Sequence, residues 1–517
     1  PDPAQTNREI LPDLAGGAAG IELVLDPRGV RGLALGNGAD LDAALADVIL
    51  EAAPVSLDGP NMAAALLLEA KLKGVAAPGA AFNLDPIWGE TPIAEAAAFA
   101  KRLRARLPNA TALRADARPV HEAGATEAQE IATALSGGVA CLRALTEAGC
   151  TIADANAALS FAVAIGPDVL IEAAKLRALR LCWARVMQAS GADPDAREAH
   201  IHAFTGQRML TRYDANTNIL RITTAAFAAA IGGAKAITTG AFTDARGLPT
   251  SFARRVARNT QNVLMEECRL GHVADPAGGA WFVEKITRQL ADKAWSIMQA
   301  IEAKGGIDAA LEHGYLQTIV GQARAARQKL IATRRETITG VTDFPLLDAP
   351  EPDVAGPRPP AAEARGLVPI RWAQPFEALR DRAEAISPRP SVFFANLASL
   401  AEFGTRAQWA RNLLAAAGIG AIGPEHAYAS MDALIDAFKL ARSRVAVIAG
   451  ADAAYAEHAE NAAQRLKAAG ADWVLIAGKP GDSEARLRAA GVDQFVFASV
   501  DALKELETLH AALGMGA

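Results

Sequence analysis

Short apolar segments alternate with longer amphipathic segments over the first half of the chain. Eight short segments predict strands, and most of them precede stretches with apolar residues at i, i+3, i+4 and i+7, as in 61–73 and 93–107. Alternating strands and helices predict a parallel sheet, and eight such units predict a (β/α)8 TIM barrel. The predicted strands are 20–26, 54–58, 79–85, 112–116, 159–166, 200–206, 236–242 and 272–278.

The same rhythm returns on a smaller scale after residue 390. Five β/α repeats within so short a region predict a flavodoxin-like, doubly wound α/β domain. Its predicted strands are 391–397, 419–422, 444–449, 473–477 and 494–498, and a helical pattern follows each of them.

The region between the two patterns predicts a helix over 305–335 and then a linker. Seven prolines fall within 345–369, and proline fixes φ and removes a backbone donor. The chain therefore divides into an N-terminal arm (1–19), a barrel (20–335), a Pro-rich linker draped over both domains (336–390) and a second domain (391–517).

Composition narrows the classes of function. The 517 residues include 52 basic and 58 acidic ones, for a net charge of −6, so no polyanion-binding surface is indicated. No apolar run approaches the ~20 residues that span a bilayer, and the N-terminus lacks a signal-peptide pattern, so we expect a cytoplasmic protein. The cysteines lack metal-ligand spacing and predict free thiols: Cys141, Cys150, Cys182 and Cys268.

Four consecutive predicted strands end in aspartate, at Asp26, Asp58, Asp85 and Asp116. Active sites of barrels lie at the carboxyl ends of the strands, so these side chains allow a metal or acid–base site. Aspartate at such a position also caps the following turn or helix. Because proline or glycine follows three of the four and no histidine accompanies them, we favour capping.

The stretch 205–307 carries the most informative motifs. It contains LRITTAAFAAAIGGAKAIT at 220–238, GLPT at 247–250, ARNTQ at 257–261 and VADPAGG at 273–279, and EAGAT stands upstream at 122–126. These motifs closely resemble the acyl-CoA mutases of the methylmalonyl-CoA mutase family. The resemblance implies a barrel that encloses an acyl-CoA and a C-terminal domain that binds cobalamin.

The chain departs from that family where the cofactor would bind. Catalytic members bind cobalamin through Asp-x-His-x-x-Gly after the first strand of the C-terminal domain, where the imidazole ligates cobalt and the Asp orients it. The matching segment is SLAEFG at 399–404, so Ser399 and Ala401 replace the Asp and the His. The resemblance therefore implies a degenerate domain without a cobalamin ligand. Its three histidines, His426, His458 and His510, are predicted surface residues.

The barrel departs from the family as well. Catalytic members place a histidine three residues before the Glu of Glu-Ala-Gly-Ala, and that position is Pro119 here. His121 lies nearby, but it aligns with a glutamine of the family, and we interpret it as a polar loop residue. The tyrosines that catalytic members use near the N-terminus are also missing, because no tyrosine precedes Tyr213.

Together these departures resemble the non-catalytic small subunits of heterodimeric bacterial members of the family. The resemblance implies no catalytic, cofactor or metal residue in this chain. It also implies a catalytic large subunit as partner, which holds adenosylcobalamin and interconverts (R)-methylmalonyl-CoA and succinyl-CoA. We expect side chains to fill the barrel axis and leave no tunnel for pantetheine, among them Phe82, Leu113, Phe161 and Phe204.

Two alternatives stay open. The chain could be an active, divergent acyl-CoA mutase that uses His121 or His202, of which His202 lies on a predicted strand and could face inward. It could instead be a regulatory or chaperone module of the mutase that binds CoA esters or the large subunit transiently.

Overall fold

The computed structural model of the protein describes residues 2–26, 32–76 and 78–516. The chain forms two compact units that are not consecutive in sequence. Unit 1 comprises Pro1–Leu210, Asn218–Arg324 and Pro352–Arg371, and unit 2 comprises Thr211–Thr217, Ala325–Glu351 and Trp372–Ala517. Over the described residues, no helix has both the length and the apolar character needed to cross a bilayer.

Unit 1 is a nearly closed barrel of parallel strands, which confirms the predicted fold class. The strands pair in chain order, and the ring is open between the first and the last of the described strands. They are β1 (Ile21–Val24), β2 (Val55–Asp58), β3 (Ala80–Leu84), β4 (Thr111–Asp116), β5 (Leu159–Ile165), β6 (Ile201–Thr205) and β7 (Ala236–Thr238).

Helices alternate with and follow these strands along the chain. They are α1 (Pro3–Ala15), α2 (Gly38–Ala44), α3 (Met62–Lys71), α4 (Ile93–Arg106), α5 (Arg118–Glu122), α6 (Glu127–Glu147), α7 (Ile152–Ala157), α8 (Val169–Ala189), α9 (Asn218–Ile231), α10 (Ser251–Asn262), α11 (Trp281–Glu302), α12 (Ile307–Glu312) and α13 (Tyr315–Ala332). Side-chain caps begin several of them: Thr126 and Gln129 form a capping box at α6, and Asp168 caps α8.

The prediction of an eighth strand at 272–278 was wrong. A 3-10 turn occupies Leu270–His272, and irregular chain follows it on the surface. The segment has one large aliphatic residue, Val273, which is exposed, and Pro276 lacks the N–H that a strand ladder needs. On the open side of the barrel, the Gln261 side-chain amide donates instead to the Ile237 carbonyl of β7 over 3.1 Å.

The single helix predicted over 305–335 is interrupted. Helix α12 ends at Glu312, and Gly314 takes φ +71° before α13 begins at Tyr315. A positive φ suits glycine because it has no Cβ, so the chain can turn there between two helices.

Part of the predicted linker lies on the carboxyl side of the barrel. Leu248, after β7, exchanges backbone hydrogen bonds of 2.8 Å with the segment at Ala355 and Gly356. Farther along, the Arg365 guanidinium donates to the Ile87 carbonyl, after β3, over 3.1 Å. The rest of the predicted linker is not all irregular, because helix α14 (Gln374–Glu384) lies within it and begins next to a proline.

Unit 2 contains a parallel five-stranded sheet with helices between its strands. Its order, β12-β11-β10-β8-β9, is that of a flavodoxin-like domain and confirms the prediction. The strands are β8 (Ser391–Asn396), β9 (Gly420–Ile422), β10 (Val445–Ala449), β11 (Trp473–Ala477) and β12 (Gln494–Val496). The helices are α15 (Leu400–Ala415), α16 (Met431–Ala441), α17 (Asp452–Ala454), α18 (Glu460–Ala468), α19 (Glu484–Ala489) and α20 (Ala502–Ala512).

Candidate functional site

Polar side chains point into the barrel axis, together with one of the predicted aromatic residues, Phe204. Phe82 and Phe161 point outward: their rings pack edge-on against Phe99 of α4 and Trp183 of α8, at centroid distances of 5.6 and 4.8 Å. Successive strand residues face opposite sides, so Leu113 also faces outward, since its neighbour Arg114 faces inward. Of the four predicted residues, Phe204 faces the axis.

A cluster of arginine and aspartate crosses the axis. Arg114 on β4 donates from Nη1 to Asp58 Oδ1 of β2 over 2.7 Å, and it is 2% exposed. Arg118 on α5 donates from Nε to Asp116 Oδ2 over 2.8 Å and from Nη1 to Asp58 Oδ2 over 3.2 Å. The Arg118 guanidinium also lies 4.0 Å from the centroid of the Phe204 ring. Asp58 therefore joins two guanidinium groups at the centre of the barrel.

A series of hydrogen bonds joins this cluster to β1 and β7, on the open side of the barrel. Thr238 Oγ1 on β7 donates to Glu22 Oε2 on β1 over 2.9 Å, and His202 Nε2 lies 2.8 Å from the same hydroxyl. Arginine can only donate, so the Nδ1 atom of His202, which faces Arg114, is an acceptor, and Nε2 carries the proton that points at Thr238. Nδ1 faces Arg114 Nη2 at 3.4 Å. We call these hydrogen-bonded residues the axial network: Glu22, Asp58, Arg114, Asp116, Arg118, His202 and Thr238.

Burial and mutual charge set the ionisation of the axial network. Burial raises the pKa of Glu22 to about 7, and the charge of Asp58 adds to the rise. Burial also acts to raise the pKa of Asp58, but Arg118 and Arg114 outweigh it and hold that pKa well below its ordinary value. Burial first, and then the two arginines, lower the pKa of His202 to about 3. His202 is therefore neutral at physiological pH.

This geometry does not suit nucleophilic catalysis or metal binding. A histidine that activates a hydroxyl must accept its proton, whereas His202 donates to Thr238. The arginines already neutralise Asp58 and Asp116. Within residues 2–26, 32–76 and 78–516, no group of three or more His, Cys, Asp or Glu side chains could hold a metal ion.

The four strand-end aspartates do not share one role. Asp85 accepts from the backbone N–H groups of Ile87 and Trp88 at 2.8 and 3.2 Å, as the capping interpretation predicts. For Asp58 and Asp116 the capping interpretation missed the main contacts, because both carboxylates form ion pairs with arginine. Asp116 also caps its own turn, since it accepts from the backbone N–H of Arg118 at 2.8 Å. The fourth, Asp26, is buried.

Pro119 and His121 lie on α5, at the edge of a second buried polar cluster. Pro119 has no side-chain donor for a substrate carbonyl. His121 is not the predicted loop residue: it is fully buried, and its Nδ1 lies 2.8 Å from Glu130 Oε2. Its Nε2 faces Gly206, where a Cβ atom would lie 2.8 Å away. No space for a substrate therefore adjoins the imidazole on that side.

Glu130 connects this second cluster to β5. Its Oε2 accepts from Lys175 Nζ over 2.9 Å, its Oε1 accepts from the backbone of Ala164 over 2.7 Å, and Lys175 also pairs with Glu172. Burial and then Arg208 lower the pKa of His121 to about 3. Burial acts to raise the pKa of Glu130, but Lys175 and His121 lower it to about 2.

In unit 2, Ser399 and Ala401 lie at the start of helix α15. Glu402 Oε2 accepts from the backbone N–H of Ser399 over 3.0 Å and from its hydroxyl over 2.6 Å, as part of a capping box. Ala401 is exposed in the first turn of the helix. Its methyl group has no lone pair for a cobalt ion, so the residues present do not fit an axial ligand of cobalamin.

The three histidines of unit 2 were all predicted to lie on the surface, and two of them do. His426 is exposed and the side chain of His458 is 40% exposed. His510 is fully buried on α20, where Nε2 lies 3.1 Å from the Ala417 carbonyl, so the prediction was wrong for this residue. An amphipathic helix has a buried face, and sequence alone did not show that His510 is on it.

The Glu22→Gln substitution tests the ionisation of the axial network. A raised pKa means that the contribution of Glu22 to stability is complete below its unfolded pKa of 4.5 and is lost as pH rises through about 7. As pH rises from about 5 to about 8, the unfolding free energy of the variant is therefore expected to rise by on the order of 1–3 kcal/mol relative to that of wild type. Urea unfolding at both pH values measures this, with exposed Glu198→Gln as the matched control. A difference that does not change with pH would contradict a raised pKa for Glu22.

The fold and the site define a class: an α/β protein with a barrel whose axis is occupied by its own charged side chains and with a flavodoxin-like domain. Comparison with known proteins then gives the family. The family model described as methylmalonyl-CoA mutase matches residues 90–365. With relatives at 35–40% identity over nearly the whole chain, the protein belongs to the methylmalonyl-CoA mutase family.

Two of these relatives are small subunits by name. The methylmalonyl-CoA mutase small subunit of Streptomyces virginiae is 40% identical over 99% of this chain and 83% of the relative. The small subunit of Propionibacterium freudenreichii subsp. shermanii is 35% identical over 100% of this chain and 82% of the relative. The methylmalonyl-CoA mutase of Escherichia coli is 37% identical, but over 45% of this chain and 33% of the relative.

Proposed function

We propose that this protein is the non-catalytic small subunit of an adenosylcobalamin-dependent methylmalonyl-CoA mutase. In this role it forms a heterodimer with a catalytic large subunit and stabilises it. The large subunit holds the adenosylcobalamin and interconverts (R)-methylmalonyl-CoA and succinyl-CoA. The names of the relatives, which are small subunits, support a heteromeric arrangement with a larger chain.

The axial network is the observation that carries this proposal. In the family the barrel encloses the acyl-CoA, and in this chain Arg114, Asp58 and Arg118 bond to one another across that space. A substrate would have to separate these ion pairs and leave buried charges without partners, which typically costs several kcal/mol. Pro119, at the position of the family histidine, adds no donor for a thioester carbonyl.

The alternative of an active, divergent mutase receives less support from the geometry. Its two candidate residues are both engaged with neighbours: His202 with Thr238 and Arg114, and His121 with Glu130. Burial is the main cause that lowers both pKa values to about 3, so neither imidazole offers a proton at neutral pH. Neither histidine is therefore poised as the acid that this alternative needs.

Co-expression with the catalytic homologue tests the proposal. We expect the two chains to co-elute one-to-one at high salt, with one cobalamin per pair measured by visible absorbance, and the isolated small chain to bind none. Stoichiometric cobalamin and mutase turnover in the isolated chain would establish the active-mutase alternative instead. Exchange of the small chain off the complex during gel filtration would contradict a permanent subunit and favour the chaperone or regulatory module.

A further inference from the structure

The carboxyl edge of the unit 2 sheet contains a tyrosine between two glycines. Gly450 follows β10, and Gly478 follows β11. A Cβ atom on Gly450 would lie 3.1 Å from Tyr455 Cε1, and one on Gly478 would lie 2.9 Å from Tyr455 Cε2. Both distances are shorter than ordinary van der Waals contact. The ring of Tyr455 therefore occupies a slot that exists because both strands end in a residue without a side chain.

The phenol hydroxyl of Tyr455 bonds to the backbone at the bottom of this slot. It accepts from the Gly450 N–H at 3.0 Å and donates to the Ala477 carbonyl at 2.8 Å, with the Ile448 carbonyl 3.3 Å away. One donor and two acceptors of the strand ends therefore face a single polar atom at the edge of an aromatic ring.

Arg406 of α15 covers the slot. Its guanidinium carbon lies 5.0 Å from the centroid of the Tyr455 ring, and Nη1 donates to the Gly450 carbonyl over 2.9 Å. Asp452 pairs with Nη2 at 2.5 Å and holds the guanidinium in that position. A cation over the face of a ring favours aromatic occupants over aliphatic ones of the same size.

The slot adjoins the place where doubly wound sheets bind ligands. In such sheets, ligands lie beyond the carboxyl ends of the strands, next to the point where the strand order reverses. Here the order reverses between β8 and β10. Gly450 borders that point, because a Cβ atom there would lie 3.3 Å from the Cβ of Leu397, the residue after β8.

We propose that Tyr455 is a built-in occupant of a binding site for a planar heteroaromatic group. The ligand class is a flat ring with one polar edge, such as a benzimidazole or the base of a nucleoside. In this chain the side chain of Tyr455 takes that place and closes the site. The inference deepens the proposed function and rests on it, because it names the residue that keeps an aromatic cofactor group out of unit 2.

The local backbone is consistent with a specialised role for this residue. Tyr455 begins the segment Tyr455–Ala459, which adopts π-helical geometry between α17 and α18. Such one-turn π segments frequently occur at functional sites, because the inserted residue redirects the side chains around it.

The Tyr455→Gly substitution, with p-cresol and benzimidazole as probes, tests the proposal in the full chain co-purified with its large subunit. An empty slot lined by apolar atoms and three polar backbone groups should take up a ring of matching size. We expect both probes to bind the variant at least about ten-fold more tightly than wild type in calorimetry, and to raise its melting temperature. Cyclohexanol, which has no π face for Arg406, is expected to bind more weakly than either probe.

The Tyr455→Phe substitution is the matched control. It keeps the ring and removes the hydroxyl, so the slot stays full and neither probe is expected to bind. A folded Tyr455→Gly variant that binds the probes no better than wild type would overturn the proposal. If that variant does not fold, refolding in millimolar p-cresol decides the matter: recovery of the native circular dichroism supports the slot, and no recovery contradicts it.

The outcome is separable from that of the proposed function. Cobalamin bound stoichiometrically by the isolated wild-type chain would contradict the proposed function. The inference about Tyr455 fails instead when probe binding in the variant fails, whatever the wild-type chain does with cobalamin.

Discussion

Replacing Arg114 with methionine is expected to lower the free energy of unfolding by about 3–5 kcal/mol at neutral pH. Arg114 is 2% exposed and donates to Asp58, and its other terminal nitrogen lies 3.6 Å from Glu22. Methionine fills most of the volume but leaves Asp58 with Arg118 as its remaining cation. A buried carboxylate with too little positive charge around it is costly because water cannot solvate it.

Equilibrium urea unfolding measures this loss. Arg143→Met is the matched control, because Arg143 pairs with Glu302 while its side chain is 61% exposed, and such pairs contribute less than about 1 kcal/mol. The loss in Arg114→Met is expected to shrink as pH falls, since the absence of Arg114 raises the pKa of Asp58 and protonation then removes the uncompensated charge. Equal losses in the two variants would mean that the axial network does not stabilise the barrel.

Much of the fold follows from the alternation of apolar segments, but the direction of each side chain does not. Bulky apolar side chains usually fill the inward positions of such barrels, whereas β2 and β4 turn Asp58 and Arg114 inward here. That is why Phe82 and Phe161 were assigned to the axis although their rings pack against helices. The error at 272–278 has a different cause. This segment has one large aliphatic residue, Val273, which is too few for a buried strand.

A signal for the axial network was nevertheless present in the sequence. Within the predicted strands, some polar residues stand two positions before the aspartate that ends the strand, as Ser56 does before Asp58 on β2. Arg114 and Asp116 on β4 show the same spacing. Residues two apart share one face of a strand, so such pairs mark the inward side. The partners across the axis could not be predicted, because they depend on the stagger between strands.

The slot of Tyr455 lay beyond prediction for another reason. Residues 453–469 show a continuous helical pattern, whereas the chain forms a π segment at Tyr455–Ala459. One extra residue per turn changes the direction of every side chain near it, and no periodicity argument detects so local an insertion. The contact with Gly450 and Gly478 joins the ends of two strands and requires the assembled sheet.

Replacing Lys175 with methionine is expected to be as damaging as the loss of Arg114, about 3–5 kcal/mol of unfolding free energy. Lys175 is fully buried and lies between Glu130 and Glu172, so the variant leaves two buried carboxylates and one neutral imidazole. The imidazole of His121 stays in contact with this charge, because its Nδ1 lies 2.8 Å from Glu130. The pKa of His121 is therefore expected to rise from about 3 in the variant.

Two measurements separate this ion-pair role from simple loss of packing. Adding Glu172→Gln to Lys175→Met removes one of the stranded charges, so the double variant is expected to be more stable than Lys175→Met by about 1 kcal/mol or more, as for other coupled neighbours. Titration of the His121 imidazole by NMR should show the raised pKa, because the charge of Glu130, no longer paired with Lys175, favours the protonated imidazole. Lys293→Met, at an exposed position of α11, controls for the loss of a lysine without burial. Additive losses together with an unchanged His121 titration would show that Lys175 acts by packing, and the charge argument for the barrel would then fail at this cluster.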